Sequence, residues 1–141
     1  MKFACECGQV IRDQTDYLPY KASVLRDEDD ERFWDGVNGA LAAFVAAVGA
    51  GCRDAWVAEH FGPDYRGNDA LVIENLLLGP WIQYTVHAYE CEACGRLHVE
   101  PERGPGGFVT FQPQSGRVER VFASRFGSPR PRPSTTDTPA G

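Results

Sequence analysis

Two short stretches of this chain carry the residues best able to do chemistry. "CECG" at 5–8 and "CEACG" at 91–95 each hold a pair of cysteines with a glycine directly behind. A thiolate is a nucleophile, a redox group and a soft metal ligand. Two thiols separated by one or two residues in a turn can converge on one ion, and glycine just beyond admits the tight backbone that such a turn needs. Four thiolates arranged tetrahedrally make the closed donor set of structural zinc. The expected ligands are therefore Cys5, Cys7, Cys91 and Cys94, with nearby backbone N–H groups placed to hydrogen-bond the sulfurs. One Zn2+ ion would pin the first turn of the chain to the loop near position 93. Two other readings of the same residues stay open: two independent reduced pairs, or a redox dithiol at 91–94. The redox reading lacks the strand–CxxC–helix setting, because a strand is expected to follow.

The remaining candidates rank behind this set. The fifth cysteine, Cys52, is expected as a small buried residue. His98 follows Cys94 by four positions and His87 precedes Cys91 by four. With four cysteines available, both histidines are expected as strand residues near the site. His60 fits a helix C-terminus, where its charge complements the dipole. His98-Val99-Glu100 and Cys91-x-x-Cys94 supply the H-x-E and C-x-x-C of a zinc deaminase, but in reversed order and without the proline before the first cysteine. HExxH, a Walker loop and a dinucleotide fingerprint are all absent from the sequence.

The elements that must position these residues follow from pattern. Residues 1–12 read as strand, turn, strand. Over 26–50, Phe33, Val37, Leu41, Phe44 and Val48 recur at helical spacing behind an acidic first turn, Asp27 to Glu31. "CRDAWVAEHFGP" predicts a second helix ending at Gly62-Pro63, and "NDALVIENLLLGP" a third ending at Gly79-Pro80. "WIQYTVHAYE" alternates as a strand, "CEACGRLHVE" as turn and strand, and "FVTFQP" and "RVERVFAS" as two further strands. "ERGPGG" reads as a loop. Trp34, Trp56 and Trp81 sit in apolar patterns and are expected in the core. The fold class expected is α+β: a zinc-ribbon-like antiparallel sheet from both ends of the chain, 1–25 and 81–123, with a helical insertion at 26–80. Residues 1–126 form one domain in this reading. The Pro/Ser/Thr-rich tail, 127–141, cannot bury enough apolar surface to order and is expected to be disordered.

Composition narrows the function classes. At 141 residues, with 43% hydrophobic content, the chain can bury a real core. A net charge of -6 disfavours bulk nucleic acid and anionic membranes as partners. No apolar run is long enough to span a bilayer. Neither a secretory signal nor an even cysteine count is present, so a reducing, cytoplasmic setting is expected.

The segments "CxCGxxIxDxTDxLPYKA" and "YxCExCGRLxxE", with "FxxFxP" behind them, resemble those of a group of short bacterial proteins of unknown function described as zinc-ribbon-like. The residues that carry the likeness are Cys5, Cys7, Gly8, Ile11, Asp13, Thr15, Asp16 and Leu18 to Lys21, then Tyr89, Cys91, Cys94 to Leu97, Glu100, Phe108, Phe111 and Pro113. The resemblance implies metal binding and a mixed fold, and brings no activity with it. Taken together, the sequence points to a non-enzymatic zinc-binding module whose partner is another protein. The alternative is a nucleic-acid-binding zinc ribbon that uses Arg117, Arg120, Arg125, Arg130 and Arg132. A network of Asp13, Asp16, Lys21 and Arg96 is expected to lock the N-terminal hairpin.

Overall fold

The computed structural model describes residues 1–102 and 106–127. The expected disordered tail, from residue 128 on, lies outside the described residues, as do Arg130, Arg132 and part of the "ERGPGG" loop. The elements run β1 (Lys2–Ala4), β2 (Val10–Arg12), β3 (Lys21–Leu25), α1 (Asp30–Gly49), α2 (Arg53–Phe61), α3 (Asp69–Tyr84), β4 (Thr85–Glu90), β5 (Leu97–Val99) and β6 (Val109–Phe111). The protein is α+β, with its helices inserted between strands from the two ends of the chain. The strands divide between two sheets. β1 and β2 form an antiparallel hairpin in which Phe3 faces Ile11. The others form a four-stranded sheet in the order β3-β4-β5-β6. Within it β4, β5 and β6 run antiparallel, with Tyr89 opposite His98 and His98 opposite Thr110. The chain folds as two compact units. One comprises Met1–Ala22, His87–Pro101 and the described residues from Gly107; the other comprises Ser23–Val86 with Glu102 and Gly106.

In the helical unit, α1 follows a single 3-10 turn at Asp27–Asp29 and buries Phe33, Val37 and Phe44. Phe44, Val57 of α2 and Val72 of α3 form its core, packed over by Trp56, Phe61, Tyr65 and Leu76. Asn68 caps α3 by accepting the Leu71 N–H at 2.9 Å. The expected stop at Gly79-Pro80 is corrected: α3 passes through Pro80 to Tyr84, and the strand begins only at Thr85. A mid-helix proline forfeits one backbone hydrogen bond and costs about 3 kcal/mol. Packing offsets this loss, because Trp81 and Tyr84 set their rings edge-on to Phe33 at 6.3 and 6.5 Å. The three tryptophans also separate. Trp56 joins the core, whereas Trp34 and Trp81 stay 51% and 42% exposed.

In the strand unit, a core of Cys5, Ile11, Tyr89 and Cys91 is backed by Phe3, Tyr20 and Phe108. Phe3 is its hub: it stacks on Phe108 at 4.1 Å and meets Tyr89 and His98 edge-on. Behind this core sits Asp13. One of its carboxylate oxygens accepts from both Lys21 Nζ and the Tyr89 hydroxyl, each at 2.7 Å. Burial alone would raise the Asp13 pKa; the Lys21 and Tyr89 hydrogen bonds outweigh burial and hold it below the usual carboxylate value. The expected hairpin lock is thus half right. Arg96 pairs instead with Glu6 at 3.7 Å, and Asp16 forms no ion pair among the described residues.

The expected last strand, 117–124, is also corrected. These residues form irregular backbone with a turn at 121–122, and Arg120 takes a φ of 54°. The N–H groups of Glu119, Arg120 and Val121 all donate to the buried Glu90 carboxylate at 2.8–2.9 Å. Successive N–H groups of a strand point to opposite sides, so three in a row cannot converge on one acceptor from a strand; they form an anion-binding nest.

Two substitutions test the Asp13 arrangement. Tyr89→Phe is expected to cost about 1.5–3 kcal/mol, the range for a hydrogen bond to a charged group, read by denaturant unfolding near neutral pH. Because the Asp13 pKa is depressed in the folded state, its contribution is full above pH 3.8 and fades as pH falls further. The stability gap between the native chain and Asp13→Asn should therefore narrow as pH drops below that value.

Candidate metal centre

The two cysteine turns are built alike. In the first, Cys5 N–H donates to Gln9 O and Gly8 N–H to Cys5 O, at 2.8 and 2.9 Å. In the second, Cys91 N–H donates to Arg96 O and Gly95 N–H to Cys91 O, both at 2.8 Å. Each turn therefore closes on the carbonyl of its own first cysteine. Gly8 and Gly95 take φ of +93° and +75°, a region that side chains disfavour. Gly95 has a second constraint, since a Cβ there would collide with the Arg117 carbonyl. β1 and β2 hold the first turn, and β4 and β5 hold the second.

The structure brings the four sequence-predicted cysteines together. Their sulfurs all lie within 4.8 Å of one another. Cys5 Sγ is 3.6 Å from Cys94 Sγ, and Cys7 Sγ is 3.6 Å from Cys91 Sγ. Sulfurs placed about 2.3 Å from a shared tetrahedral ion are roughly 3.8 Å apart, so the spacing fits a metal. A disulfide needs about 2.05 Å, and all four thiols are free. Cys5 and Cys91 are buried, Cys94 is half-buried and Cys7 is exposed.

The electrostatics divide the set. Burial pushes Cys91 up to about 12, against the lowering pull of the Ala93 and Cys94 N–H groups on its sulfur. Cys5 is likewise raised, chiefly by burial. Cys94 goes the other way, down to about 6: burial opposes this, but the Arg96 N–H and guanidinium prevail, Nη1 lying 3.4 Å from the sulfur. Arg96 thus stabilises negative charge on the cluster, a role that neither its spacing nor its type had marked.

The other singled-out residues lie elsewhere. His98 is buried against Phe3 and Phe108, with Nδ1 3.1 Å from Thr110 Oγ1 and Nε2 without a hydrogen-bond partner. Burial lowers its pKa, which favours the neutral ring. Glu100 turns its carboxylate to the His87 N–H at 2.9 Å and to His87 Nδ1 at 3.4 Å. The residues of the deaminase-like H-x-E are thus engaged with Thr110 and His87 rather than grouped with the cysteines. His60 stacks on Trp56 at 3.8 Å in the last turn of α2. Cys52, expected buried, is exposed at the N-cap of α2, where its sulfur lies 3.6 Å from the Ala50 carbonyl oxygen. Among the described residues, no helix is long and apolar enough to cross a membrane.

A model for the family described as "Domain of unknown function (DUF8617)" matches residues 1–115, a span that takes in both cysteine turns. No curated protein and no solved structure matches the chain.

Two outcomes are expected. Gly95→Ala should destabilise the protein by more than the ~1 kcal/mol of an ordinary φ penalty, because a carbonyl occupies the space, whereas Gly8→Ala, with open space around it, should cost only that penalty; thermal melts compare the two. Metal uptake must displace the protons of Cys5 and Cys91, so apparent affinity should climb by at least about two logs per pH unit near neutrality, measured by chelator competition.

Proposed function

We propose that this chain, which belongs to the DUF8617 family, is a zinc-stabilised, non-enzymatic module that works by binding another protein. The observation that carries the metal assignment is the convergence of four sulfurs from two like turns. An all-sulfur set selects soft or borderline ions. Zinc fits best among these, because it asks only for a tetrahedron and contributes its binding energy to folding without redox chemistry.

The same donor set argues against catalysis. A catalytic zinc keeps a position open for water or substrate, and four cysteines fill all four. Glu100 and His87 satisfy each other away from the sulfurs. An interaction role draws support from the exposed indoles of Trp34 and Trp81 and from the charge of -6, which suits a basic partner. Free thiols throughout suit a reducing compartment such as the bacterial cytoplasm. A second reading, nucleic-acid binding, is favoured by one observation: Phe126 is 99% exposed beside Arg125, an arrangement that suits stacking next to a phosphate. It ranks second because Arg117 is paired with Glu119 at 3.1 Å and the chain as a whole is acidic.

Elemental analysis of reduced, freshly purified protein should find one zinc per chain. Cys91→Ser should abolish that stoichiometry and lower the melting temperature. Material free of transition metal, with an unchanged melt in Cys91→Ser, would refute the metal assignment. Gel-shift titration with single-stranded RNA and DNA across a salt series should show no specific retention; steeply salt-dependent binding that disappears on deleting residues 125–141 would put the nucleic-acid reading first.

A further inference from the structure

The helical unit carries an apolar surface that its own core leaves uncovered. α3 buries only Val72, yet Leu71, Ile73, Leu77, Leu78, Trp81 and Ile82 all remain exposed. A helix apolar on every side is ordinarily enclosed on every side. Between α1 and α3 lies a groove of about 420 Å3, lined by Phe33, Trp34, Glu74, Leu77, Leu78 and Trp81. Trp34 and Trp81 contribute two half-exposed indoles to its walls. Such amphipathic, rigid rings are the residue type that anchors protein interfaces.

Charge indicates what fits. Asp30 and Glu31 precede Trp34 by four and three positions, so they share its face of α1, and Asp35 adjoins it. None of the three has an ion-pair partner among the described residues. The sequences of α1 and α3 together hold five carboxylates and a single basic residue, Arg32. A second copy of this chain would bring acid against acid across the groove, on top of a net charge of -6 per chain. A partner with an apolar stripe flanked by lysine or arginine meets both features at once.

We infer that the groove between α1 and α3 docks a basic amphipathic helix of a partner protein, which lays two or three apolar side chains between Trp34 and Trp81 and sets its cations against Asp30, Glu31 and Asp35. This is helix-in-groove recognition, read as anchors at i, i+3 or i+4, and i+7. The assignment rests on the reading of the chain as an interaction module and gives that reading a surface and a class of partner.

The test is a selection of random peptides of about 16 residues, roughly four helical turns, on the immobilised full chain. Enriched peptides should be net positive, carry apolar residues at helical spacing, and shift tryptophan emission to the blue as Trp34 and Trp81 lose water. Trp34→Ala and Leu78→Asp should each weaken them at least tenfold. Asp30→Lys combined with Asp35→Lys, at exposed positions, should weaken them similarly while the chain stays folded, the melt falling only by what Asp30 contributes at the N-terminus of α1. The inference is overturned if no peptide is enriched, if enriched peptides are acidic or lack helical spacing, if a small apolar probe binds but the peptides do not, or if sedimentation shows that the groove closes a homodimer. Pull-down from the native host separates this failure from that of the broader reading. A partner retained equally by the native chain and by Leu78→Asp sinks the groove alone; a native chain that retains nothing sinks the interaction role itself.

Discussion

Four thiols held within 4.8 Å of one another are an unstable arrangement unless something shares their charge. If all were ionised, repulsion would spread them; if all were protonated, four weak donors would hold two distant turns together by little more than contact. A divalent cation would resolve the conflict, since it would draw the protons off the buried Cys5 and Cys91 and share the charge of all four sulfurs. Arg96 already points toward that solution by placing a guanidinium on Cys94. Much of the strand unit follows from this constraint. β1, β2 and β5 span three residues each, and a two-stranded hairpin alone is at best marginally stable in water. Sulfur fixes the hairpin at one end, and the Phe3 ring among Tyr89, His98 and Phe108 fixes it from behind.

Buried and half-buried carboxylates do what longer strands would do in a larger sheet. Asp13 ties the end of β2 to Lys21 and Tyr89. The Glu100 carboxylate accepts the backbone N–H of His87. Glu90 gathers three consecutive N–H groups from residues 119–121, which have no ladder to join. Each lies on a strand or beside one, and each accepts hydrogen bonds from groups that would otherwise stay unmet. A negative group buried among donors is stable; the same group buried without them is costly.

Much of this was legible in the sequence. The cysteine turns could be read because each carries its ligands, glycine and flanking strand within a few residues. α1 could be read because Phe33, Val37 and Phe44 recur at helical spacing. What stayed hidden depended on partners distant along the chain. Pro80 signals a stop, and only the rings packed on Phe33 show why the helix goes on. "RVERVFAS" has the composition of a strand, and nothing in it announces that its N–H groups face Glu90. Apolar spacing put Trp34 and Trp81 in the core, but hydrophobicity records a preference for burial, not which molecule provides it. Arg96 went unmarked as a sulfur's neighbour because a lone arginine after a glycine has too many uses to be diagnostic.

The two halves of the sulfur cluster are 84 and 89 positions apart. At about 5–20 residues per second of translation, Cys5 and Cys7 are added to the chain on the order of 4 to 18 s before their counterparts. Throughout that interval the nascent N-terminus carries two thiols with no complete site to occupy. The helical unit is made in the meantime, so the order of synthesis places helix formation first and closure of the sulfur cluster near the end.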